Sequence, residues 1–284
     1  MQPFHLHMPD KWERGVIFAS PHSGRAYSDE FVAASVLDAQ TLRSSEDAFV
    51  DQLYSAAVAL GAPLLRADAP RAFVDLNRDK ADLDPAVIEG AHQAAPNARV
   101  HAGLGVVPRV VADGKAIYHG KLRISVAQAR IEQFWVPYHR QLQQLLDQAY
   151  DRFGQAILID CHSMPHAALS GDTGPHVVLG DRFGTTAAPD VTAGVERAFH
   201  SAGFRVARNV PFAGAYIAQH YGRPSAGVHV VQVELDRALY MDEASITPSD
   251  QFAMVQHRLR PVIRDLIAMG AQACIRAGGR LAAE

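Results

Sequence analysis

Six short apolar runs, each closed by turn residues, limit what this chain can fold into more than any other feature. They cover residues 15–19, 63–67, 72–76, 156–160, 176–180 and 228–235. Strands buried on both faces are apolar along their length, whereas a strand with one wet face alternates. Between the runs the spacing turns helical. Val50, Leu53, Tyr54, Ala57 and Leu60 recur at helix intervals, and Ile131, Phe134, Trp135, Tyr138, Leu142, Leu145, Leu146 and Ala149 form one stripe. Pro137 inside that stripe predicts a kink, because proline removes a backbone donor and clashes with the preceding turn. Further helices are expected over 191–200 and from 249 to about 277. Strands alternating with helices predict a three-layer α/β/α fold around a mixed, mostly parallel sheet, and such sheets gather ligands at the carboxyl ends of their strands.

At 284 residues, 48% hydrophobic and 20% charged, the chain has enough apolar material for one large domain. We read residues 1–284 as a single catalytic domain. Within it, 79–121 is rich in Ala, Pro, Gly and Asp and carries a turn at Ala112-Asp113-Gly114-Lys115. That segment is expected to be an insertion or hairpin flap over the site. A net charge of −3 gives no basic surface for nucleic acid or an anionic membrane, and no stretch reaches the length of a membrane span. Two cysteines, Cys161 and Cys274, fit a reducing compartment, so a cytoplasmic enzyme acting on a small molecule is expected, its oligomeric state left open.

Two histidines follow apolar runs: His22 in Pro21-His22-Ser23-Gly24, and His162 in Asp160-Cys161-His162-Ser163. Neutral imidazole is a standard zinc ligand, and a sheet edge can bring distant residues together. A third ligand is sought among acids, and Glu46 and Asp47 stand at the expected start of the helix after Ser44. Ser44-Ser45-Glu46-Asp47 reads equally well as a capping box. Glu234 ends the run 228–235, where a glutamate beside a metal could take a proton from water and pass it to a leaving amine. Arg71, and Arg78 in Asp75-Leu76-Asn77-Arg78, offer forks that grip a carboxylate, or in Arg71's case polarise a carbonyl. Cys161 and Ser163 flank His162 but point away from it along an extended chain, so neither is its nucleophile. No Gly-x-Ser-x-Gly elbow, phosphate loop, dinucleotide fingerprint or His-Glu-x-x-His is present.

Six blocks in order, Pro21-His22-Ser23-Gly24, Glu46-Asp47 with Val50-Asp51, Asp75-Leu76-Asn77-Arg78, Trp135 to His139, Asp160 to Pro165 and Gln232 to Asp242, resemble the N-formylglutamate amidohydrolase family. The resemblance implies a fold like that of zinc carboxypeptidases and aspartoacylases. It also implies hydrolysis of N-formyl-L-glutamate to formate and L-glutamate, a step of histidine degradation. One zinc ion, or another divalent metal, would be held by His22, His162 and an acid, with Asp47 favoured over Glu46. The carboxypeptidase His-x-x-Glu pattern is absent, because Arg25 stands third after His22. Glu234 resembles the family's general base and Arg71 its carbonyl-polarising arginine, and Asn77-Arg78 matches the superfamily's carboxylate anchor. Arg223 is a candidate to hold the second substrate carboxylate; Tyr216, His220 and His139 are candidates to line the pocket, His139 reading equally well as a structural histidine. The competing readings are a hydrolase of another N-acyl amino acid or peptide, and a non-catalytic metal- or amino-acid-binding protein.

Overall fold

The computed structural model describes residues 1–92, 97–169, 171 and 173–271. Seven strands form one sheet: β1 (Phe4–His7), β2 (Val16–Ser20), β3 (Leu64–Ala67), β4 (Ala156–Met164), β5 (Val177–Gly180), β6 (Val206–Arg208) and β7 (Val228–Asp236). Their spatial order is β1-β3-β2-β4-β7-β5-β6. The central strands β3, β2, β4 and β7 run parallel, while β1 pairs antiparallel with β3 and β5 antiparallel with β7. The mixed, mostly parallel sheet expected from the apolar runs is therefore present.

Both faces are covered, which is why the central strands are apolar throughout. On one face Val16, Phe18, Ile157, Ile159, Val231 and Val233 pack with residues of Pro189–Ser201, Phe252–Met269 and the short helices Val50–Leu53 and Ala56–Ala59. On the other, Ile17, Ala19, Leu158 and Val230 pack with Tyr216–Tyr221 and the long helix Val136–Phe153. Pro137 does not simply kink that helix. A π-helical turn at Ile131–Trp135 comes just before it and spreads the missing hydrogen bond over a wider turn. Gly154 then ends the helix at φ 71°, donating to Tyr150 O.

Several expectations are corrected. Residues 72–76 are buried but are not a strand. Phe73 and Val74 both donate to Pro70 O, which coils the chain, and Asp75 N–H crosses to Val106 O. The turn at Ala112–Gly114 exists, but its flanks meet only through a single bridge, Val110 to Ala116. The helix expected from Ser44 starts at Val50 behind Phe49, whose φ is 65°, so Asp47 lies in a loop and caps nothing. The C-terminal helix starts at Phe252 rather than Ser249 and ends at Met269, before Gly270 and Ala271; residues 272–277 of that expectation, and Cys274, lie outside the described residues. No helix among the described residues is long and apolar enough to cross a membrane.

The turn after β2 carries the first site histidine, and its shape depends on Gly24. A Cβ there would stand 2.0 Å from Ala69 O, a backbone atom that cannot move aside cheaply. Gly24→Ala is expected to cost about 3 kcal/mol through overpacking. Denaturant unfolding checks this; an unchanged midpoint would contradict the close approach.

Candidate active site

Register brings the chemistry together. β4 and β7 pair so that Asp160 lies beside Gln232 and His162 beside Glu234. Partners in a parallel pair share a face, so these four polar side chains form one patch at the carboxyl end of the sheet. His162 lies inside β4 rather than past its end, because pairing with β7 continues to Met164. His22 arrives from the turn after β2, and Asp47 N–H donates to His22 O at 3.0 Å, fastening the acid's loop to that turn. Arg25 reinforces the join, gripping Asp51 with two bonds of 3.0 and 3.1 Å.

Three ligand atoms converge. Asp47 Oδ2 lies 2.8 Å from His162 Nδ1 and 3.4 Å from His22 Nδ1, and all three residues are buried. One atom from each of His22, Asp47 and His162 falls within 4.8 Å of the others, an arrangement able to hold a metal ion. His22 Nδ1 has no hydrogen-bond partner among the described residues although it is buried, and it faces this point. A buried polar atom left unpaired is costly, so the donor set fits a cation there. At His22 the far ring nitrogen is engaged in the way that orients a metal-binding imidazole. His22 Nε2 bonds Asp75 Oδ1 at 2.8 Å; His162 Nε2 lies 3.1 Å from Asp160 Oδ2 and 3.2 Å from the Asn77 amide nitrogen. Ile217 N–H donates to Asn77 Oδ1, which fixes the orientation of that amide.

The site's charges are shifted accordingly. Burial alone would raise the Asp47 carboxyl, but bonds and charge from His162 and His22 outweigh it and hold Asp47 well below the usual carboxylate range. Burial is the leading influence on Glu234 and pushes its carboxyl up; His162 opposes this and Asp47 adds to it. Gln232 Nε2 donates to Glu234 Oε1 at 2.7 Å, while Gln232 Oε1 accepts from Ala215 N–H.

Of the two acids left open by the sequence, Asp47 is the one that lies beside the two histidines. Both Glu46 oxygens accept from Arg43, at 3.1 and 3.2 Å, so Glu46 stands outside the cluster. A cavity of about 480 Å³ opens over the patch, lined by His22, Asp47, Arg71, Asn77, Arg78, His162 and Glu234. Arg71 Nε donates to Asp75 Oδ2 at 3.1 Å. Residues of the 79–121 segment, including Leu104, Val110 and Asp113, line the same cavity. Tyr216, His220 and Arg223 do not; they border a neighbouring cavity that shares Asn77 and Arg78 with the first. His139 borders neither. Its Nε2 bonds Leu76 O and its Nδ1 bonds the Tyr221 hydroxyl, both at 2.9 Å, and burial pushes it down to about 3. It is a neutral strut, which with Trp135 Nε1 on Arg78 O suspends the Leu76–Arg78 backbone from the long helix.

Three residues assigned no role from the sequence prove central: Asp75, Asp160 and Arg237. Asp75 and Asp160 each stand close along the chain to a candidate residue, Asn77 and His162, and an acid able to orient an imidazole is a signal the sequence does carry there. Arg237 had no such signal. Its guanidinium donates to Ser163 Oγ, Ser44 O and Asp47 Oδ1, the last at 3.1 Å. Arg237→Met would leave the Asp47 charge buried with one oxygen unpaired. A loss of about 3 kcal/mol in unfolding free energy is expected, as for other broken buried pairs, and a change under 1 kcal/mol would contradict the burial argument.

The N-formylglutamate amidohydrolase family model matches residues 14–241. N-formylglutamate deformylase of Pseudomonas putida is 30% identical over 266 residues, covering 90% of this chain and 94% of that protein. The Pseudomonas aeruginosa deformylase is 31% identical over 259 residues, covering 89% and 91%. The crystal structure of N-formylglutamate amidohydrolase from Ralstonia eutropha JMP134 superposes with a TM-score of 0.89 at 34% identity, covering 95% of this chain and 99% of that one. A gene product of Agrobacterium tumefaciens shares the fold at a TM-score of 0.64 and 15% identity, covering 94% and 95%. Matched along most of its length, this chain belongs to the N-formylglutamate amidohydrolase family.

Proposed function

We propose that this protein is a zinc-dependent amidohydrolase that converts N-formyl-L-glutamate and water to formate and L-glutamate. The observation that carries the reading is the buried His22–Asp47–His162 cluster on the same sheet edge as Glu234, in a protein of this family. His22 Nδ1, Asp47 Oδ2 and His162 Nδ1 would hold the ion. When bound, zinc supplies Lewis-acid polarisation of the formyl carbonyl and makes water more acidic.

The chain's own residues account for the rest. Glu234, with its carboxyl raised by burial, accepts the proton of the attacking water and returns it to the departing amine nitrogen. The new bond joins the water oxygen to the formyl carbon, and the bond from that carbon to nitrogen breaks. Arg71 donates to the oxygen on which charge develops, its guanidinium oriented by Asp75. Arg78 and Asn77 receive a substrate carboxylate and place the formyl group over the cluster. Segment 79–121 acts as the cover of a single catalytic domain.

Purified protein incubated with N-formylglutamate is expected to release formate. Chelation should abolish the release and added zinc restore it; release that survives full chelation would overturn the metal's role. Glu234→Gln should retain metal and lose activity on the order of a thousandfold. Because the Glu234 carboxyl lies above its ordinary value and must be deprotonated to act as base, kcat/KM should fall as pH drops through that raised value. The fall should begin at higher pH than for an ordinary glutamate. An acid limb unchanged in the residual activity of Glu234→Gln would contradict the assignment.

A further inference from the structure

We propose that Arg99 binds the side-chain carboxylate of the substrate and thereby sets selectivity for acidic over neutral N-formyl amino acids; this inference rests on the function proposed above. A formylated glutamate carries two carboxylates, and Arg78 with Asn77 accounts for only one of them.

The arginines lining the main cavity are Arg71, Arg78, Arg99 and Arg237. Arg237 is bound to Ser163, Ser44 and Asp47, and Arg71 to Asp75. Arg78 donates to Leu104 O and Asn77 O, and its other terminal nitrogen lies 4.0 Å from Asp75 Oδ2. Arg99 differs from all three. It is exposed, and its guanidinium has no hydrogen-bond or ion-pair partner among the described residues. It also lines both cavities, at their junction.

The order of the two anchors follows from the substrate. The α-carboxylate is attached to the carbon that bears the formamide nitrogen, so it must bind near the reacting centre. Arg78 is adjacent to Asn77, whose amide nitrogen is 3.2 Å from His162 Nε2, and fits that inner place. The second carboxylate ends a longer carbon chain and reaches outward, toward Arg99. The backbone carrying Arg99 is held in position: Asn97 Oδ1 caps the short helix Ala98–His101 by accepting from Arg99 N–H, and Asn97 Nδ2 donates to Asp82 Oδ1. Charge supports the same arrangement. Burial pushes the Arg78 guanidinium down to about 10; Asp75 and Asp82 oppose this, while the positive charges of Arg71 and Arg99 add to it. A dicarboxylate relieves that crowding of cations.

The test compares wild type, Arg99→Gln and Arg99→Lys on N-formyl-L-glutamate and on N-formyl-L-glutamine, which keeps the α-carboxylate and nearly the same shape but has a neutral side chain. Wild type is expected to prefer the glutamate. Arg99→Gln should lose roughly thirtyfold in kcat/KM for formylglutamate, mostly through KM, as expected when a charged hydrogen bond is removed. Formylglutamine should change less than about threefold, since it makes no such bond, and Arg99→Lys should recover part of the loss. Equal losses on both substrates, unchanged selectivity in Arg99→Gln, or no preference in wild type would each overturn the assignment. Wild type that hydrolyses neither substrate would overturn the proposed function, and this inference with it. Retained KM discrimination alongside normal formylglutamate turnover would overturn this inference alone.

Discussion

The site depends on one buried carboxylate. Asp47 Oδ2 faces two imidazoles while Oδ1 is held by Arg237. A carboxylate removed from water is tolerated only when it is surrounded by compensating charge and hydrogen bonds. Here the compensation comes from three separate stretches of chain, the turn after β2, β4 and the segment after β7. Asp47 therefore acts as the point at which these elements are forced into register. Its loop cannot drift from β2 without breaking the Asp47 bond to His22 O, nor from β4 without leaving its charge exposed to apolar surroundings.

Sheet pairing does the remaining positioning. Parallel alignment of β4 with β7 sets His162 against Glu234 and Asp160 against Gln232, so one register delivers a candidate ligand, an acid close to its ring, the proposed base and that base's hydrogen-bond donor. A slip of either strand by one residue would turn its two polar side chains toward the opposite face, where Ile159, Cys161, Val231 and Val233 now form the core. The Leu76–Arg78 segment has no strand to rest on and is hung instead from Trp135 and His139. Asp75 then links the two halves of the site, accepting from His22 and Arg71 together.

Much of this was legible in the sequence, for physical reasons. The buried strands announce themselves because burial on both faces forces continuous apolar runs, and His22, His162 and Glu234 were visible as polar breaks at or near the ends of such runs. The edge strands Phe4–His7 and Val206–Arg208 were not, since one exposed edge relaxes the demand for apolar residues. Residues 72–76 misled because burial in a coil produces the same apolar composition as burial in a strand. Glu46 and Asp47 could not be separated by spacing; only the turn at Phe49, with its positive φ, aims one at the histidines and the other at Arg43. Arg237 was invisible as a partner of Asp47, because a contact across 190 residues of chain has no local signature. His139 looked like a pocket residue, and its true role appears only when both ring nitrogens are seen to be spent on the scaffold.

The most direct test of the metal centre is anomalous diffraction at the zinc edge from crystals of the metal-loaded protein. One peak per chain is predicted, within bonding distance of His22 Nδ1, Asp47 Oδ2 and His162 Nδ1. A peak coordinated by Glu46, or metal bound elsewhere with these three residues still bonded only to one another, would contradict it.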